Sequence, residues 1–139
     1  MQTILDLLKL AGGFRPTLYL KIENPPYLAL VIEATPEPGP MGLPALSVTH
    51  YGEQNGDLMR DPEMCFEICL PFGGMPYLDP FYYRNDYVAV EQWSRRIWSG
   101  HYVALLDLHK QHERFAVVWD RNLRLQGFAE AFTDAAIRS

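Results

Sequence analysis

Hydrophobic positions change period twice along the chain. Ile4, Leu7, Leu8 and Ala11 recur at helical spacing, predicting a short helix over residues 3–11. Thr3 is its expected N-cap, and Gly12-Gly13 ends it. The period then falls to two. Leu18, Leu20 and Ile22 alternate with Tyr19 and Lys21, predicting a half-buried strand near 16–23. Asn24-Pro25-Pro26 turns the chain. Tyr27 to Ala34 is nearly all apolar, as in a central strand over 26–34. Thr35 to Pro40 has proline at alternate positions and reads as an extended loop. A third strand is expected over 44–51. Asn55-Gly56 then supplies the positive-φ pair of a type I′ turn. A fourth strand over 63–70 sets Met64, Phe66, Ile68 and Leu70 against Cys65, Glu67 and Cys69. Pro71 to Pro80 reads as a loop. A fifth strand over 86–92 is centred on Tyr87-Val88-Ala89-Val90. Residues 94–102 follow neither period. Helical spacing returns over 105–125 through Leu105, Leu108, His112, Phe115, Trp119 and Leu123, with Gly127 as the stop and a frayed tail beyond.

This order predicts an α+β fold. A single antiparallel sheet of about five strands carries N- and C-terminal helices packed on one face. At 139 residues the chain is expected to form a single domain, 1–139. Its 48% hydrophobic and 21% charged composition is that of an ordinary globular protein, which excludes a disordered chain. Twelve basic against seventeen acidic residues, a net charge of −5, argue against a general nucleic-acid binder. No apolar run approaches the ~20 residues of a membrane span, and the N-terminus lacks the basic and apolar segments of a signal peptide. A cytoplasmic protein is expected. Cys65 and Cys69, four apart in a strand, lie about 13 Å apart, too far to bridge, and are read as free buried thiols. Their spacing has no second half for a zinc site, and no cofactor is expected.

The densest polar stretch runs from His50 to Glu63. Its carboxylates, Glu53, Asp57, Asp61 and Glu63, crowd one hairpin with His50 and Arg60. Clustered carboxylates suit a hard cation or acid–base chemistry. The same residues also suit plain turn formation, through Asn55-Gly56 and Asp61-Pro62. On the last helix, His109 shares a face with His112 and Glu113, but a metal there lacks a third ligand. Tyr77, Phe81, Tyr82, Tyr83, Tyr87, Trp93, Trp98 and Tyr102, interleaved with Arg84, Arg95 and Arg96, read equally as core and as a protein interface. No nucleophile motif or phosphate loop is present.

Residues 51–64, from Tyr51 through Gln54-Asn55-Gly56-Asp57-Leu58-Met59 to Asp61-Pro62-Glu63-Met64, resemble a signature of a family of uncharacterised proteins. These proteins are carried by plasmids, integrative elements and phages. Phe115, Trp119, Asn122, Leu123 and Gln126-Gly127-Phe128 resemble a second signature, and Tyr83-Arg84-Asn85-Asp86-Tyr87 a third. The resemblance implies a mobile-element setting, not a reaction. Physically, Phe115 and Trp119 would dock the helix on the sheet. Asn122 and Gln126 would satisfy backbone groups, and Phe128 would pack back.

The leading expectation is a small non-enzymatic accessory protein that binds a protein partner and acts against host defence. Its candidate binding residues are Tyr51, Glu53, Asn55, Asp57, Asp61, Glu63, Arg84 and Asp86. The alternatives are a metal-dependent hydrolase or nuclease using Asp57, Asp61, Glu63 and Glu67, and an acidic nucleic-acid mimic.

Overall fold

The computed structural model describes residues 1–138. Its elements in chain order are α1 (Gln2–Leu10), β1 (Tyr19–Asn24), β2 (Tyr27–Ala34), β3 (Ala45–Gln54), β4 (Asp57–Cys69), β5 (Tyr77–Asn85), β6 (Val90–Trp93), β7 (Arg95–Trp98), β8 (His101–Ala104) and α2 (Leu106–Leu125). A 3-10 turn (Asp134–Ala136) leads into β9 (Ile137–Arg138). The fold is α+β. The main sheet is antiparallel, but it has seven strands rather than about five, in the order β6-β5-β4-β3-β2-β1-β9, and β7-β8 form a separate hairpin.

Period-two alternation places one set of side chains under the helices. Leu20, Ile22, Leu30, Ile32, Leu46, Val48, Met64 and Phe66 form one core with Ile4, Leu7 and Leu8 of α1 and Ala116, Trp119 and Leu123 of α2. Both helices therefore lie on the same face. Trp119 is buried against His50 and Phe115, and Phe128 packs back onto His50, as the spacing predicted. Gly127, at φ 81°, supplies the left-handed residue that ends α2.

Five local expectations are corrected. Thr3 does not cap α1. It lies inside the helix, where its backbone N–H donates to Asp120 Oδ1 of α2 at 2.8 Å, so the second helix satisfies the first helix's free donor. The fourth strand begins at Asp57, not near 63. Polar residues continue the ladder because only one edge of the hairpin core needs apolar cover, and Asp61-Pro62 fits as a bulge between the Tyr51–Arg60 and Thr49–Glu63 pairs. The strand expected over 86–92 is a turn at its centre, with Ala89 at φ 53°, flanked by β5 and β6. Asn122 is exposed and holds no backbone group among the described residues, while Gln126 serves through its backbone carbonyl, which accepts from Asn24 Nδ2 at 2.7 Å. The tail forms β9, which pairs with β1; Ser139 lies outside the described residues. Among the described residues no helix is long and apolar enough to cross a membrane.

Candidate functional site

The face opposite the helices holds the polar side chains. Strand register aligns Lys21, Val31, Thr49, Glu63, Arg84 and Glu91 in one cross-strand row. Tyr51 pairs with Arg60 beside it. Such rows put side chains ~5 Å apart, close enough for ion pairs.

The pairs join into a chain of alternating charge. Glu63 Oε2 accepts from the Ser47 hydroxyl at 2.6 Å, and Glu63 Oε1 lies 3.3 Å from Arg60 Nε. Asp86 accepts the Arg60 backbone N–H at 2.8 Å and Arg84 Nε at 2.7 Å, with Arg60 Nη1 at 3.5 Å. Arg84 Nη1 reaches Glu91 at 3.4 Å, and Glu91 accepts the Tyr82 hydroxyl. The Arg60 N–H, seconded by both guanidinium groups, holds the Asp86 carboxyl below the usual carboxylate range. Burial, then nearby Glu63, pushes Glu33 up. Burial and the same carboxylate push the Tyr51 phenol up. Burial and its bond to Glu91 raise Tyr82.

The structure divides the candidate residues. Glu63 and Arg84 lie in this row, with Tyr51 beside it and Asp86 reaching it from the turn after β5. Asp61 leaves it and accepts from Asn85 Nδ2 at 2.9 Å. Asn55, at φ 52°, and Gly56, at φ 83°, form the two-residue turn between Gln54 and Asp57. Glu53 and Asp57 are exposed at that tip and make no side-chain hydrogen bond or ion pair among the described residues. Asp57, Asp61, Glu63 and Glu67 do not converge: each has a different environment along β4. Among the described residues no three His, Cys, Asp or Glu side chains are grouped for a metal ion. His50 packs in the core and His109 makes polar contacts. The His50 ring lies between Trp119 and Phe128 with Nδ1 3.2 Å from the Ala29 carbonyl oxygen, and burial lowers its pKa. His109 joins Asp79 at 2.6 Å and Glu113 at 3.4 Å. Cys65 and Cys69 are free and buried, and burial raises both thiols above their usual range.

Sequence reasoning named Glu67 as a candidate metal ligand and Arg95 beside the aromatics, but missed that the two are buried together as a pair. Glu67 is 0% exposed and Arg95 3%. Arg95 Nη1 donates to Glu67 Oε1 at 2.7 Å, and its other nitrogens donate to the Pro80 and Asp79 carbonyls at 3.1 Å. Glu67 Oε2 accepts the Met41 and Leu43 N–H groups at 2.9 and 3.1 Å. One carboxylate thus ties the loop between β2 and β3 to the start of β7. The only signal was a single acidic residue alternating with two cysteines in an apolar strand.

No curated protein and no solved structure matches the chain significantly. A family model described as "Domain of unknown function (DUF6908)" matches residues 2–129, which span α1, the sheet through β6, the β7–β8 hairpin and α2. The chain belongs to that family.

Proposed function

We propose that the protein is a binding module, not an enzyme: a small cytoplasmic accessory protein of a mobile genetic element that recognises another protein through the β3–β4 hairpin tip. The mobile-element setting rests on the resemblance of the signature stretches. The recognition reading rests on one observation. Most carboxylates of the open sheet face are neutralised within the chain, whereas Glu53 and Asp57 project from a tight turn without partners among the described residues. Leu58, 71% exposed, and Tyr87, 44% exposed, flank them and offer apolar contact beside the charge. A basic protein surface with an apolar centre is the complementary partner.

The test is capture from host lysate by the purified protein and by the Glu53→Ala/Asp57→Ala variant. Exposed like charges affect stability by only tenths of a kcal/mol, so the variant should melt within about 1–2 °C of the parent. It should lose the captured protein, and added salt should weaken the parent's capture in the same way. Equal capture by both proteins refutes the reading. A large drop in melting temperature reassigns the two carboxylates to the fold.

A further inference from the structure

A groove of about 550 Å³ lies on the open sheet face, away from the hairpin tip. Sheet order explains its shape. The 35–40 loop leaves β2 on one side, and Trp93 and Ile97 enter from β6 and β7 on the other. Cys65 of β4 and Phe81 of β5 form the floor. Phe81 is the extra residue of a bulge in β5, between the Cys65–Tyr82 and Phe66–Pro80 pairs, which turns its ring toward this face. The Phe81 and Trp93 rings stack at 6.4 Å and 27°.

Both walls are fixed by one buried group. Glu67 Oε2 holds the Met41 and Leu43 N–H groups, and its Oε1 holds Arg95, next to Arg96. The loop sits so closely on Glu67 that a Cβ at Gly39 would strike its side chain. The Thr35 hydroxyl donates to the Glu37 carbonyl at 2.6 Å, and proline restricts the rest of the loop. The groove is therefore held open by the fold and needs no ligand to form. A preformed apolar cleft of this size with few polar groups is the usual shape of a small-molecule site.

Arg96 decides the ligand's charge. It lines the groove, is only partly exposed, and forms no ion pair among the described residues. Its guanidinium lies 4.3 Å from the centroid of the Trp98 ring, which orients it without neutralising it. Glu37, the acidic residue of the lining, is exposed to water, where its charge is well solvated. We propose that the groove binds a small organic anion: an aromatic body against Phe81 and Trp93 and a carboxylate on Arg96.

The probe is indole-3-acetate, with tryptamine as the cation of the same ring system, titrated into the full chain and followed by NMR. Indole-3-acetate should give saturable shifts at the Trp93 indole N–H and along residues 35–39, with tryptamine at least about tenfold weaker. Arg96→Gln should weaken indole-3-acetate about tenfold, Arg96→Lys should restore part of the loss, and Glu37→Gln should change little. Unchanged amide shifts away from β7, β8 and the 35–40 loop show that each variant is folded. No saturable shift at the groove, equal binding of tryptamine, or an Arg96→Gln variant that binds like the parent overturns the proposal.

Discussion

Replacing Glu67 with Gln keeps the side chain's shape and removes one charge. In the parent, Arg95 is 3% exposed and its close counter-charge is Glu67 at 2.7 Å; Asp79 Oδ2 lies farther, at 3.5 Å. A buried ion pair broken on one side costs about 3–5 kcal/mol, because the remaining charge stays out of water. The Gln oxygen still serves the Met41 and Leu43 N–H groups, but the amide then turns its own donors toward the guanidinium. For a chain of 139 residues each kcal/mol lowers the melting temperature by about 3–4 °C. The expected loss is thus roughly 10–20 °C, read by thermal melting and confirmed by urea unfolding. The double change Glu67→Met/Arg95→Leu removes both charges, which is often neutral where nothing else depends on the pair. Here it also removes the partner of the Met41 and Leu43 N–H groups and of the Asp79 and Pro80 carbonyls. Water takes up the N–H groups of the exposed Met41 and Leu43, so the double variant should recover much of the loss and stay about 1–2 kcal/mol below the parent, mainly through the buried Pro80 carbonyl. A Glu67→Gln variant within about 1 kcal/mol of the parent would refute this account, because it would mean that water reaches the pair.

Gly39→Ala should cost about 1–3 kcal/mol in urea unfolding, since the added Cβ meets the fixed Glu67 side chain. Gly52→Ala should cost less, since the nearest atom there is the hydroxyl of the partly exposed Tyr87, which can swing away. Trp119→Ala should lose about 3–5 kcal/mol, the cost of a large core cavity; an unchanged midpoint would place the indole outside the core. Burial, then His109, lowers the His112 pKa to about 4, so between pH 6.5 and 4 the unfolded chain takes up a proton that the folded ring refuses. Stability should fall across that window by roughly 2–3 kcal/mol from this group, and His112→Gln should flatten the pH dependence.

The parts of the fold that could be read from the sequence are those where one face is apolar and the other is not. Ile4, Leu7 and Leu8, the Leu20–Ile22 and Met64–Phe66 pairs, and Trp119 with Leu123 all announced their burial by spacing alone. Period fails where burial comes from the chain's own polar pairing. Residues 57–63 carry too many charges to read as a strand, yet they pair as one, with Glu63 meeting Ser47 of β3 and Arg60 meeting Asp86 after β5. The β7–β8 hairpin is held by Arg95, whose guanidinium occupies carbonyls at the β5 edge; no local pattern marks a charged residue that substitutes for a strand.

For the site, sequence proximity gave a mixed answer because a hairpin brings near neighbours to opposite ends of its environment. Glu53 and Asp57 are four residues apart and share the exposed tip, whereas Glu63, only six residues further along, belongs to the ion row through Ser47 and Arg60. Arg84 and Asp86 join that row from β5 and the turn that follows it, a placement that only strand order supplies. The same order carries Phe81 and Trp93 to the groove beside Arg96, although the chain between Pro40 and Phe81 includes two whole strands. The two surfaces differ in how they are held. The groove is braced by a buried carboxylate, so its shape does not depend on what it binds. The tip is held by its turn and the β3–β4 ladder rather than by its carboxylates, so its charges are free to meet a partner, and changing them should alter binding without altering the fold.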